Sequence, residues 1–469
     1  MENEPKRVVW PYALIAVVAV AIYLAASIEI EVPGEAGRPL GGLSEVEGLA
    51  ERDDVNILFL LVDTLRAERM EAYGYERATT PFISSLAETG VRFDHHTAQS
   101  SWTKSSMASL WTGLNPIRSG VTKFNHTVSA DVTMPAEILA DAGFKTIGLY
   151  RNGWVHGYFG FDQGFEKYYR PMGSGQDPSV QRIRPNAFIH GSDEKLIGDA
   201  IEFLRVHGET SRWFLYLHLM DLHEYTYDEE SAIFGNTISD LYDNSILRTD
   251  WVLSKLYAYL ESRGLDDETL IVLLSDHGEA FGERGFEGHA RAVFPETTQT
   301  PLLLSFPFRL EEDVVLDSST ANVDVWPTLL DLLGLPLQPA SDGRSRRPEI
   351  LAAVSGEEWV GEEDGVTVAF LDENWGQVGA DRQPAVSILE GDYRFVAGRD
   401  IAGQDFEVLL SASDGKIVAA DLADRDDIVE RFRTLAKEEL SLQALHESQT
   451  YELDEMQLDQ LRALGYELP

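Results

Sequence analysis

The apolar positions fall into two alternating forms. Short unbroken runs, such as Val55 to Val62 ending at Asp63, read as strands buried on both faces. Thr146 to Leu149, Trp213 to Leu219, Leu270 to Ser275 and Pro301 to Phe306 follow the same form. Between them lie stretches with helical spacing: a Thr80-Pro81 start with a stop at Gly90, a segment around Thr133 to Gly143, then Asp193 to Val206, Ile238 to Gly264, and Val323 to Leu333 before Gly334. Strands alternating with helices predict a doubly wound α/β fold, a mostly parallel sheet sandwiched by helices. Beyond Val366 the runs shorten into strands with tight turns and a helix from Ile428 to Leu440, which predicts a smaller C-terminal antiparallel α+β subdomain. Asp454 to Pro469 reads as a polar helical tail.

The N-terminal pattern differs. Residues 8–28 carry no charge and would span about 30 Å as a helix, enough for a bilayer core. Lys6 and Arg7 precede the run and Glu29 and Glu31 follow it, which places the N-terminus in the cytoplasm. The expected layout is a cytoplasmic segment 1–7, a single-pass transmembrane anchor 8–28, a flexible linker 29–54, a catalytic domain 55–345 outside the cytoplasm, and a C-terminal subdomain and tail 346–469. A cleaved signal peptide is the alternative, since Ala25-Ala26-Ser27 is a small-residue site; the length of the run favours a retained anchor.

Charge narrows the class of partner. The chain has 38 basic and 79 acidic residues, a formal net charge of −41. So acidic a surface repels nucleic acid and anionic membrane faces, and its plainer meaning is solubility. The chain has no cysteine, which removes disulfides, thiolate metal sites and lipid-modified cysteines.

The candidate chemistry gathers around Ser100 to Gly113, SSWTKSSMASLWTG. Small hydroxyl residues precede an Ala/Ser/Leu pattern, so the Thr103 hydroxyl is expected near a helix N-terminus, where unpaired N–H groups favour an anion. Alone, the stretch reads more readily as a helix cap. Its company changes that. Asp63 ends one apolar run and Asp276-His277 ends another, so both belong at the carboxyl edge of one sheet. Two carboxylates, an imidazole and a hydroxyl form a set for a divalent ion: Mn or Zn suits it better than Ca, with Mg also open. Such an ion lowers the hydroxyl's hold on its proton and neutralises charge growing in the transition state. Lys104, beside Thr103, reads as a partner for a substrate oxygen or as a solvated lysine.

The run NILFLLVDTLRAERMEAYGYERATTPFISSLAETGVRF and then SWTKSSMASLWTGLNPIRSGV resemble the opening of the sulfatase family in the alkaline phosphatase superfamily. FKTIGLY, GYFGFDQGFEKY, HLMDLHEY, LLSDHGEAFGERGFEGHA, TPLLLSFP and NVDVWPTLLDLLGLP with DGRS continue it in order over residues 55–345. The resemblance implies that Asp63, Asp276 and His277 are metal ligands and that Thr103 holds the nucleophile position beside the ion. It implies that His223 and His289 contact the transferred group or protonate the leaving oxygen, and that Asn152 binds substrate. Asp221, His223 and His289 also read as a second metal set, against a plainer role of the histidines in hydrogen-bonding substrate.

The departures are as informative. Sulfatases carry a cysteine or serine converted to formylglycine within a C/S-x-P-x-R signal; here those positions are Thr103, Ser105 and Met107. Threonine cannot give the aldehyde, so no formylglycine is expected. The second Asp of the family's Asp-Asp pair is Thr64, and His277 stands where sulfatases carry Asn. A formylglycine hydrate expels sulfate by collapsing to the aldehyde, whereas a threonine ester requires direct attack on the central atom, a reaction well precedented at phosphorus. The pattern resembles membrane-anchored phosphodiesterases and phosphotransferases, including lipoteichoic acid synthases and phosphoethanolamine transferases. The expectation is a metal-dependent hydrolase or phosphotransferase that cleaves an anionic phosphoester through a Thr103 covalent intermediate. The alternatives are a sulfuric ester hydrolase and a sulfatase-like binding protein without turnover. Oligomeric state has no signature in the sequence.

Overall fold

The computed structural model describes residues 37–171, 192–361, 365–372, 384–400, 402–412, 426–447 and 449–462. The main sheet has eight strands: β1 (Asn56–Val62), β2 (Val91–Thr97), β3 (Lys145–Tyr150), β4 (Lys167–Tyr169), β5 (Trp213–Leu219), β6 (Thr269–Leu274), β7 (Leu302–Ser305) and β8 (Val314–Ala321). Their order across the sheet is β8-β2-β7-β6-β1-β5-β3-β4. β1 lies at the centre and pairs in parallel with β5 and β6. Only β7 runs against its neighbours, β6 and β2.

Alternation along β1 shows why an unbroken apolar run is needed there. Ile57, Phe59 and Leu61 enter one core with Trp111, Leu139, Trp326 and Leu329, which come from helices α3 (Thr103–Thr112), α4 (Pro135–Asp141) and α7 (Asn322–Leu332). Leu58, Leu60 and Val62 enter a second core with Ile83, Leu196 and Leu253, from α2 (Pro81–Ala87), α5 (Asp193–His207) and α6 (Ile238–Arg263). A polar residue on either face would have no water to meet, so β1 is apolar from Ile57 to Val62, and Asn56 at its start accepts from the Trp213 N–H at 2.9 Å. At the centre of the first core, Trp326 stacks on Phe59 with ring centroids 5.2 Å apart and on Trp111 at 5.4 Å.

Two strands escape the sequence pattern. β2 carries Arg92, Asp94, His95 and His96, and β8 alternates with acidic and hydroxyl residues. They pair in parallel at one side of the sheet, where one position in two meets polar surroundings, so neither shows an apolar run.

The expected linker is partly overturned. Leu43–Gly48 (α1) buries Val46, Leu49 is buried beside it, and the Arg38 guanidinium donates to Ser305 Oγ and to the Phe306 carbonyl, each at 2.6 Å. Glycine, proline and acid content masked these few anchors, which tie the segment to the end of β7. The expected membrane span, residues 8–28, lies outside the described residues. Among the described residues no helix is long and apolar enough to cross a membrane.

Past the main sheet, strands β9 (Thr367–Leu371), β10 (Ala385–Glu390), β11 (Tyr393–Arg399) and β12 (Asp405–Ser411) form the expected antiparallel sheet. Its outer face packs on α8 (Asp426–Ser441) through Val386, Ile388, Phe395, Val429 and Phe432. Its inner face adds Ala369, Leu371, Val396 and Leu410 to the first core of the main domain. The Phe370 N–H donates to the Gln99 carbonyl at 2.8 Å, so the subdomain supports the loop that leads to Thr103. The basic cluster at Arg344 to Arg347 is structural in part: Arg346 is buried and pairs with Asp324 and Glu349, each at 2.9 Å. The tail is helical over Glu455–Arg462, and residues 463–469 lie outside the described set.

Truncating the central ring tests this packing. Trp326→Ala is expected to lower the unfolding free energy by about 3–5 kcal/mol, measured by urea denaturation, because neighbours on both sides lose their contact.

Candidate active site

The parallel arrangement brings the ends of β1 and β6 together. Asp63 follows the last residue of β1, and Asp276-His277 lie just past the end of β6. One ligand atom from each of Asp63, Asp276 and His277 lies within 4.8 Å of the others, and all three residues are fully buried. Helix α3 begins at Thr103 after Trp102 in extended conformation, and ends at Gly113, whose φ of 69° closes the helix in a left-handed turn. The Thr103 hydroxyl lies 3.1 Å from His277 Nε2 and accepts from Asn152 Nδ2 at 3.2 Å. The expected quartet of two carboxylates, an imidazole and a hydroxyl therefore converges.

Hydrogen bonds fix how each group points. His277 Nδ1 donates to the Gly278 carbonyl at 3.0 Å, which leaves Nε2 with its lone pair toward Thr103 and the carboxylates. Asn152 Oδ1 accepts from the Trp154 N–H at 2.9 Å, which turns its amide nitrogen toward Thr103 and toward Asp63 Oδ2 at 2.7 Å. Among the described residues, no hydrogen-bond donor meets the buried Asp63 Oδ1 or Asp276 Oδ2. Two inward oxygens and one imidazole lone pair without protons to share suit a divalent cation.

The electrostatics carry the same mark. Burial tends to raise the Asp63 carboxyl, but His223, His218 and His277 around it outweigh that and hold it well below the usual range. Asp276 is pushed up, first by burial and then by Asp63. His223 is lowered to about 4 by burial, against the pull of Asp63. For His289 burial acts downward, yet Glu279, accepting from Nδ1 at 3.0 Å, raises it. The His223 and His289 rings lie 4.9 Å apart and those of His289 and His277 4.6 Å, so three imidazoles form one cluster that reaches Thr103 through His277.

Two expectations fail. Lys104 does not turn to the substrate side: it is fully buried, donates to the Phe124 carbonyl at 2.6 Å and lies 3.2 Å over the Phe159 ring. The first turn of α3 points successive side chains in different directions: Thr103 faces the ligand groups, Ser106 Oγ donates to the Asp276 carbonyl at 2.5 Å, and Lys104 turns away from both. Asp221 is not available to a second ion, because Arg151 bonds its Oδ1 and the Asp193 N–H donates to its Oδ2 at 3.2 Å. Sequence reasoning also passed over His218, whose Nε2 lies 3.0 Å from Asp63 Oδ2, and Glu279. His218 had a signal, an imidazole within the otherwise aromatic and aliphatic strand Trp213–Leu219.

The backbone around the site is unusual. Thr64, Tyr225 and Ala290 have φ of 64°, 51° and 55°, left-handed values that non-glycine residues seldom adopt. Each sits beside a site residue or one loop position beyond it. The Ala290 N–H donates to the Ser101 carbonyl at 2.8 Å, which ties the His289 loop to the approach of α3.

Residues 55–335 match the Sulfatase family model. The chain belongs to the sulfatase family. Rattus norvegicus N-acetylgalactosamine-6-sulfatase is 23% identical over 346 residues, covering 63% of this chain and 66% of that protein. The chain spans about two thirds or less of the length of the first curated relatives it matches. Among solved structures, a phosphonate monoester hydrolase of Agrobacterium radiobacter superposes with a TM-score of 0.62 at 19% identity, covering 86% of this chain and 98% of that one. A protein solved in complex with its substrate D-glucosamine-2-N,6-O-disulfate gives 0.62 at 16% identity, covering 82% and 97%. The fold is thus shared with a protein titled a phosphonate monoester hydrolase and with one solved with a disulfated glucosamine substrate, and this chain carries Thr103 where the resemblance places the formylglycine residue.

The metal reading has a direct check. Asp63→Ala and Asp276→Asn are each expected to lose divalent metal in elemental analysis after desalting, while keeping the wild-type circular dichroism spectrum.

Proposed function

We propose that this sulfatase-family protein is a metal-dependent hydrolase or transferase of anionic esters, acting more readily on a phosphoester than on a sulfate ester, with Thr103 as nucleophile. The observation that carries the reading is the Thr103 hydroxyl itself, held between Asn152 Nδ2 and His277 Nε2 beside two donor-free carboxylate oxygens. Asp63, Asp276, His277 and Thr103 would hold the ion, which when bound supplies positive charge that weakens the hydroxyl's hold on its proton and balances charge on the transferred group.

The chain's own residues account for the rest. Thr103 Oγ1 gives up its proton to solvent and forms a bond to phosphorus as the bond from phosphorus to the ester oxygen breaks in line with it. The Asn152 amide, fixed by Trp154, donates toward the growing negative charge. His289, steadied through Nδ1 by Glu279, gives a proton to the departing oxygen, and His223 contacts the transferred group. Water or an acceptor alcohol then displaces Thr103 from phosphorus, and the hydroxyl is restored. The enzyme needs no formylglycine.

A sulfate ester is the second reading, favoured by the family model and by relatives named as sulfatases. The two separate in side-by-side rates on aryl phosphodiester, phosphomonoester and sulfate substrates. The phosphoester reading expects the phosphodiester to lead, and a lead by the sulfate ester overturns it. Under either reading Thr103→Ala is expected to slow turnover about 10³-fold or more, while Thr103→Ser keeps a measurable rate because the hydroxyl is retained. A chain that only binds would show no turnover that Thr103→Ala removes.

A further inference from the structure

We propose that Tyr216 and His218 are positioning residues for Asp63, a two-step relay that holds Oδ2 and leaves Oδ1 as the single ligand oxygen for the divalent ion. The proposal rests on the metal reading above and adds two residues to it.

The relay begins in the core. Tyr216 and His218 are two apart on β5, so their side chains leave the same face of the sheet, while Leu215, Leu217 and Leu219 enter the opposite core. The Tyr216 ring lies 5.0 Å from that of Trp111 and 6.1 Å from that of Phe59, inside the aromatic cluster centred on Trp326. Its position is therefore set by close packing. The Tyr216 hydroxyl lies 2.8 Å from His218 Nδ1, and His218 Nε2 lies 3.0 Å from Asp63 Oδ2. All three side chains are fully buried.

Proton logic gives the chain its direction. An ionised carboxylate only accepts, so His218 Nε2 carries the hydrogen; a neutral imidazole then accepts at Nδ1, and the Tyr216 hydroxyl donates there. Tyr216 thus selects the imidazole tautomer that can hold Asp63. Asn152 Nδ2 donates to the same oxygen at 2.7 Å, so Oδ2 has two donors while Oδ1, 3.8 Å from His277 Nε2, has none. A carboxylate gripped by one oxygen presents the other in a fixed direction. This matters more here than in a site with a further acid, because Thr64 stands where the family's second Asp would be and its side chain is turned back to the Asp63 carbonyl at 2.6 Å. With two carboxylates in the ligand set, a misdirected Asp63 forfeits half of that set's negative charge.

The test uses the full chain stripped of metal, titrated by calorimetry with Mn²⁺ alone and with Zn²⁺ alone. His218→Ala is expected to weaken the tighter of the two by about 10–100-fold, and His218→Gln, whose amide N–H reaches toward the same carboxylate, to recover at least about tenfold of a full loss. Tyr216→Phe keeps the ring and removes only the lock on the tautomer, and is expected to weaken binding by about 2–10-fold. Wild-type affinity in His218→Ala, or equal losses in His218→Ala and His218→Gln, overturns the relay, since a side chain that merely fills space would give one of those results. If His218→Ala fails to fold, Tyr216→Phe decides: weakened binding supports the relay and unchanged binding overturns it. A wild-type chain that takes up neither ion overturns the metal reading itself, a result distinct from any difference between variants.

Discussion

The architecture depends on the mutual repulsion of two buried carboxylates. Asp63 and Asp276 bring ligand oxygens within 4.8 Å of each other at full burial. Two unit charges at that distance cost roughly 3 kcal/mol at an effective dielectric of about 20. The opposite shifts of the pair, Asp63 held down among imidazoles and Asp276 pushed up by burial and by Asp63, record this tension. A cation would relieve it, and the histidines and the Asn152 amide surround the same two carboxylates.

Most of this was legible in the sequence because the constraint leaves a local trace. A strand buried on both faces is mostly apolar, so the carboxylate that follows it stands out, as Asp63 does after Val62 and Asp276 after Leu274 and Ser275. The helix that starts at Thr103 was legible through the stop at Gly113 and the hydroxyl residues before it. The obscured features are those whose cause is tertiary. β2 and β8 look polar because they pair near the sheet's margin, and the packing of residues 38–51 rests on a few anchors rather than on a period. His218 gives no spacing clue to its partner, 155 positions earlier in the chain. The direction of Lys104 follows from which side of α3 faces Phe124 and Phe159, which the neighbouring residues alone do not encode.

The C-terminal sheet takes part in the same arrangement. By accepting the Phe370 N–H at the Gln99 carbonyl, the main domain fastens the loop before Thr103 to β9. Arg394, from β11, is buried and reaches Thr298 Oγ1 at 2.9 Å and Thr97 Oγ1 at 3.1 Å, binding the subdomain to the end of β2. An arginine placed there without a direct carboxylate in its hydrogen bonds has its proton affinity lowered to about 10 by burial. The subdomain is thus a second wall for the loop that leads to Thr103.

The left-handed residues Thr64, Tyr225 and Ala290 add a mechanical side to the chemistry. Each such conformation costs about 1–3 kcal/mol for a residue with a side chain, and it persists only where the surroundings over-determine it. The surrounding sheet behaves as a clamp under load: slackening far from the clamp, in the aromatic core for instance, would let these three hinges relax toward ordinary angles first. The side chains gathered around Thr103 would drift apart in a protein that is still folded, so the site would loosen at a lower temperature than the fold.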